Sequence, residues 1–171
     1  MEMRDDVFGG QINLQKGLTG TVNLLQYLRT GLRTGNLNKR TFKSFILCLQ
    51  EPPTGRGGVI GFGAGVNLFF DRSTTGQRAA ILASKDIPLW LDPTYSNADM
   101  VTCLWQTAIS GRNDSHKDVY ITSVYMDITH DRVIPPLLEK LVRFCTRSNK
   151  ELIVCADTNS HSSLWGSNET L

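Results

Sequence analysis

Ser44–Gln50 reads SFILCLQ, and the residue that follows is Glu51. A run this short, nearly all apolar and without a polar alternation, fits a strand buried on both faces, as in a parallel sheet with a helical crossover. Working back from it, Val7–Leu14 has strand length. Thr19 or Thr21 is placed to cap a helix running to about Arg33. Val22, Leu25, Leu28 and Leu32 recur at helical spacing and predict its apolar face. Gly31 weakens the end of this helix and Gly35-Asn36 breaks it. The order is strand, helix, strand, with a carboxylate just past the second strand.

The same order recurs later. Val119–Tyr125 (VYITSVY) alternates like a strand. Asp131 is placed to cap a helix whose first turn accepts Pro135 and Pro136, and Leu137, Leu138, Leu141, Val142, Phe144 and Cys145 supply its apolar face. Ser148-Asn149 ends it. Glu151–Ala156 (ELIVCA) is then a second short buried strand, followed by Asp157. Two β-α-β units are expected, each crossing over right-handedly. Between them, Gly55–Gly65 (GRGGVIGFGAG) contains neither GxGxxG nor GxxxxGK[ST] and reads as a surface loop. Short antiparallel strands are expected at Asn67–Phe70, Arg78–Ala83, Ile87–Leu91 and Val101–Gln106, separated by turn signals at Asp71-Arg72-Ser73, Lys85-Asp86 and Ser96-Asn97. Ser110–Lys117 reads as a polar hairpin-like loop.

Composition bounds the function. The 171 residues are 40% hydrophobic and 20% charged, an ordinary globular balance that argues against disorder. No low-complexity linker divides them, so one domain over residues 1–171 is expected. No apolar run is long enough to span a bilayer, and the N-terminal MEMRDDVFGG lacks the apolar segment of a secretory signal. Cys48, Cys103, Cys145 and Cys155 are widely spaced within apolar runs, which reads as reduced core cysteines of an intracellular protein. A net charge of +2 does not by itself imply nucleic acid. Its distribution does more: Val7–Gln50 contains no acid against Lys16, Arg29, Arg33, Lys39, Arg40 and Lys43, a block able to meet phosphates or to form a solvated helix face.

Open sheets place ligands beyond the carboxyl ends of their parallel strands. Asn13 and Glu51 fall at such ends in the first unit; Tyr125 and Asp157 do so in the second, with Asn159 two residues on. If the units pack face to face, these groups share one cleft. Two carboxylates there repel each other unless a hard cation lies beside them, and Mg2+ favours such oxygen donors. The cation would suit a phosphodiester substrate.

The order QINLQ (11–15), LQEP (49–52), SVYMD (123–127) and ADTNSHSSLWGS (156–167) resembles the endonuclease/exonuclease/phosphatase superfamily. Within it, the chain is most similar to the apurinic-endonuclease-like domains of non-LTR (LINE-type) retrotransposons; FFDRSTTGQRAAIL (69–82) and the tryptophan of LWGS carry that narrower likeness. The resemblance covers nearly the whole chain. It implies a DNase I-like, four-layer α/β sandwich of two mixed sheets, acting with Mg2+ (or Mn2+) on double-stranded DNA in the nucleus. In an intact element the domain is fused to a reverse transcriptase and nicks one target strand to prime it.

Residue by residue, the resemblance implies that Glu51 ligates the metal and Asn13 helps bind the metal or its water. Tyr125 would contact the scissile phosphate or the leaving group, Asp157 would orient or activate the nucleophile, and Asn159 would bind phosphate and align a catalytic histidine. Arg78, Lys16 and Arg29 would touch the DNA backbone, the last two for charge reasons alone. The chain departs from the family where GD becomes Ala156-Asp157. It departs again because no Ser-Asp-His motif, the source of the family's general acid/base, follows Asp157. The chain is therefore expected to match the N-terminal part of such a domain and to be weakly active or inactive alone. His161, within DTNSH, reads as a loop or DNA-contact residue. The alternative readings are a degenerate or domesticated fragment that binds nucleic acid without catalysis, and a superfamily phosphatase acting on a small phosphoester.

Overall fold

The computed structural model describes residues 7–34, 44–108, 116–127 and 134–158, with backbone only for 29–34, 108 and 116. In chain order the elements are β1 (Val7–Asn13), α1 (Leu18–Thr34), β2 (Ser44–Gln50), β3 (Thr54–Gly55), β4 (Gly58–Val59), β5 (Val66–Phe69), β6 (Ala79–Ser84), β7 (Leu89–Leu91), a 3-10 turn (Pro93–Tyr95), β8 (Met100–Ala108), β9 (His116–Tyr125), α2 (Pro136–Arg147) and β10 (Glu151–Asp157). Two four-stranded sheets result, ordered β1-β2-β6-β5 and β10-β9-β8-β7. In each, the first pair is parallel and the remaining pairs are antiparallel. The expected α/β architecture of two mixed sheets is present, and both expected β-α-β units form.

Every residue of β2 is buried. Its period-2 geometry explains why. Phe45 and Leu47 lie under α1 beside Leu28, while Cys48 and Gln50 face the second sheet, where the Gln50 amide donates to Ser123 Oγ at 3.0 Å. The sheets meet through β2 and β6 on one side and β8 and β9 on the other. A separate apolar cluster forms beneath α2, where Leu138, Leu141 and Cys145 cover Met100, Tyr120 and Val124. Cys48, Cys103 and Cys145 are buried and none of the four cysteines is in a disulfide.

Several expectations are corrected. α1 begins at Leu18, so Thr19 and Thr21 are inside its first turn rather than capping it; the fully buried Thr21 hydroxyl donates to the Gly17 carbonyl. The inward face of α1 is Thr21, Leu24 and Leu28, because Val22 is 60% exposed. Val142 on α2 is likewise exposed. β10, expected to be a buried strand, lies at the edge of its sheet, and Ile153 and Val154 are exposed. Part of the glycine-rich stretch is ordered as the β3–β4 hairpin rather than a plain loop. α2 starts at Pro136 with Pro135 as its cap residue. The expected cap Asp131 lies outside the described residues, as do Lys39, Arg40, Lys43 and residues 110–115 of the polar loop.

Candidate active site at the carboxyl ends of four strands

Both parallel pairs run the same way, so the carboxyl ends of β1, β2, β9 and β10 gather at one edge of the sandwich. Alternation aims Gln11 and Asn13 of β1 at the other sheet. The Gln11 amide donates to the Ala156 carbonyl at 2.9 Å. Asn13 Nδ2 donates to Glu51 Oε2 at 3.1 Å and to Asp157 Oδ2 at 2.5 Å. One amide therefore joins carboxylates from two different sheets. Its orientation is fixed by its other end, because Asn13 Oδ1 accepts the Gln15 N–H at 2.7 Å.

Glu51 has a left-handed backbone, φ +45°, as do Gln15 and Lys16. For residues with a Cβ this conformation costs on the order of 1–3 kcal/mol and is held only where surroundings over-determine it. Here the Glu51 N–H donates to the Arg78 carbonyl at 2.8 Å, and the Lys16 N–H donates to the Glu51 carbonyl at 2.7 Å. The turn after β1 is thereby strapped to the turn after β2. Lys16 Nζ sits 3.9 Å from Glu51 Oε1 with its side chain largely in solvent, a cation at the rim of the cleft.

Tyr125 pairs in register with Asp157 across β9 and β10. Partial burial, then the negative charge of Glu51, holds its phenol above the ordinary value; Asp127 and Asp157 push the same way, and only Arg78 opposes them. The Arg78 guanidinium lies 4.7 Å from the centre of the Tyr125 ring, within cation–π range. The same fork pairs with Asp99 through Nε at 2.6 Å and Nη2 at 2.8 Å, and with Asp127 through Nη1. These two carboxylates hold the guanidinium well above its ordinary pKa. Arg78 thus links the site twice, its carbonyl holding the backbone of Glu51 and its side chain holding the ring of Tyr125.

Of the sequence-derived residues, the fold brings Asn13, Glu51, Asp157, Tyr125, Lys16 and Arg78 to one edge. Arg29 lies in α1 with its side chain outside the described residues, as are Asn159 and His161. No described side chain is a histidine. Sequence reasoning missed Asp99, Asp127 and Gln50. Asp127 stands within the quoted SVYMD, and Gln50 is a polar residue in an otherwise apolar strand, so both carried a signal; Asp99 carried none. Among the described residues no three or more of His, Cys, Asp and Glu group as a metal cage. The donor set is two carboxylates beside an amide. That suits Mg2+, which commonly takes one or two carboxylates and completes its shell with water and substrate phosphate.

These features define a class: a two-sheet α/β sandwich of the DNase I-like kind, with an acid–amide cluster at the carboxyl ends of its parallel strands. Among solved structures, the chain is similar to the endonuclease domain of TRAS1, a telomere-specific non-LTR retrotransposon. The identity is 25% and the TM-score 0.60, over 94% of this chain and 63% of that one. The chain thus spans less than two thirds of the length of that domain. No protein-family model and no curated protein matches it.

Proposed function

We propose that the chain is built for Mg2+-dependent hydrolysis of a phosphodiester in double-stranded DNA, with Mn2+ as an acceptable substitute. In this reading it nicks one strand of a retrotransposon target in the nucleus, and the freed 3′-hydroxyl primes a reverse transcriptase to which an intact element fuses it. The observation that carries the reading is the Asn13 amide joining Glu51 and Asp157 across two sheets. Likeness to a retrotransposon endonuclease domain supports it.

Glu51 would hold the cation, and Asn13 would keep the two carboxylates together while its oxygen stays on the Gln15 N–H. When bound, the cation neutralises phosphate charge and stabilises the developing transition state. Asp157 would accept a proton from the attacking water. Tyr125, whose phenol is raised above its ordinary value, would donate a hydrogen bond to a phosphate or leaving-group oxygen. Lys16 adds positive charge at the rim, and Arg29 extends the basic block along the chain.

Single-turnover nicking of trace supercoiled plasmid tests this, because single-turnover kinetics separate the chemical step from binding and product release. Magnesium-dependent nicking that vanishes in Glu51→Ala is expected. Equal nicking by that variant would overturn the reading. DNA binding with no scission under any metal would favour the alternative of a nucleic-acid-binding remnant.

A further inference from the structure

The β3–β4 hairpin encloses a second feature. Between it and the 71–77 loop lies a cavity of about 180 Å3, lined by Arg56, Arg72, Thr74, Thr75 and Gln77 around the ring of Phe70. Its walls contain two arginines and no acid. Among the described residues no carboxylate pairs with either guanidinium. Arg72 rests 5.5 Å from the centre of the Phe70 ring, which braces its stem without neutralising it. Asp71, next to Arg72 in sequence, is occupied by Ser73 and Thr74, whose hydrogen bonds hold its carboxyl below the ordinary value.

The pocket is constructed rather than incidental. Gly58 has φ +104°, and a Cβ there would sit 2.4 Å from Phe70 Cε2, so only glycine lets the hairpin close on the ring. The buried Gln77 ties the opposite loop by donating to the Asp71 carbonyl at 2.9 Å and to the Thr74 carbonyl. Gln77 Oε1 is buried without a protein partner, leaving an acceptor for a donor that arrives with the ligand, such as a water of hydration. Both walls lead to the active site within two residues: Pro52-Pro53 joins Glu51 to β3, and Gln77 precedes Arg78.

We propose that this cavity binds a backbone phosphate of the DNA strand away from the scissile position; the inference rests on the nuclease reading above. Its volume is below the roughly 300–1,000 Å3 of drug-sized ligand sites, so it suits a single charged group rather than a whole nucleoside. Two guanidiniums match phosphate oxygens in bidentate geometry, and threonine hydroxyls add neutral donors. The anion relieves the repulsion between the two cations.

Binding of a fluorescent double-stranded oligonucleotide, titrated across salt concentrations, tests it. Each phosphate contact contributes about 0.9 to the slope of log K against log salt. Arg56→Ala/Arg72→Ala is expected to lower that slope by about 0.9 per lost contact, while cleavage at saturating DNA is unchanged. Gly57→Asp should weaken binding independently: a Cβ at Gly57 meets nothing within 4 Å, so the new carboxylate enters without a packing clash. Arg143→Ala on α2 should leave the slope unaltered. Wild-type slope and affinity in both pocket variants, with Glu51→Ala still blocking cleavage, would overturn the phosphate site and leave the nuclease reading standing. A wild-type chain that binds no DNA would remove both.

Discussion

Tyr125 shows how single residues at this edge constrain one another. Its phenol is raised above the ordinary 10.0 by burial and by the Glu51, Asp127 and Asp157 charges, with Arg78 alone acting against them. The sign of the consequence follows from linkage. A group whose folded pKa exceeds its unfolded value contributes stability that is complete below the unfolded pKa and fades as pH rises through the folded one. Stability should therefore fall above pH 10.0 in the wild type and not for this reason in Tyr125→Phe, which denaturant titrations at rising pH will read. The same variant keeps the ring against Arg78 but loses the donor, and a missing transition-state donor costs about 10²–10³ in rate. Arg78→Met should drive the phenol still higher in a phenolate absorbance titration. It should also destabilise by about 1–3 kcal/mol, since hydrogen bonds to Asp99 and Asp127 are lost. Residue identity was legible here, because strand-end position alone singles out Asn13, Glu51, Tyr125 and Asp157. The left-handed backbone of Glu51 was not. A positive φ ordinarily advertises itself through glycine, and the carboxylate displaced that signal.

At the scale of elements, burial on two faces explains both what could be read and what could not. β2 announces itself because a strand between a helix and a second sheet loses the polar half of its alternation; β10 reads alike but is an edge strand with Ile153 and Val154 exposed, so its apolar run does not report burial. α1 is harder, since an apolar list at helical spacing does not say which neighbouring stripe turns inward. Leu24 and Leu28 pack against the core while Val22, two positions before Leu24, is 60% exposed. The buried Thr21 belongs to the inward stripe and weakens its apolar signature. The corrected face makes a direct prediction. Leu28→Ala should cost about 2–5 kcal/mol in urea unfolding, as buried leucine truncations do. Val22→Ala should change stability by no more than about 0.5 kcal/mol, as exposed substitutions do. Equal losses at the two positions would restore the face that spacing alone suggested. The β3–β4 hairpin escaped the sequence for a different reason: glycines that permit close approach to Phe70 are locally the same as glycines in an open loop.

Across the whole molecule, the site depends on how two sheets are held at one edge, and pairing of sheets is a long-range fact that no local pattern encodes. The seam just beneath the cluster is polar. Gln50, fully buried, donates to Ser123 Oγ at 3.0 Å and to the Cys155 carbonyl at 3.3 Å, and Ser123 Oγ donates to the Leu49 carbonyl at 2.9 Å. These bonds connect β2 to β9 and β10 directly below Glu51, Tyr125 and Asp157. An apolar seam would bury comparable area but would leave the separation of the sheets to packing alone; directional bonds set it. Gln50→Leu and Ser123→Ala should each destabilise, by about 1–3 kcal/mol where the change strands a buried polar partner. Residues that share one network do not act additively, so the double variant should depart from the sum by about 0.5–3 kcal/mol. The seam also predicts a kinetic effect that stability loss alone does not produce. At temperatures where Gln50→Leu remains fully folded by circular dichroism, its single-turnover nicking should be slower than wild type, because Asn13 can bridge Glu51 and Asp157 only at the present sheet spacing. A folded Gln50→Leu protein that cleaves at the wild-type rate would show that the Asn13 bridge, and not the seam, sets the distance between the two carboxylates.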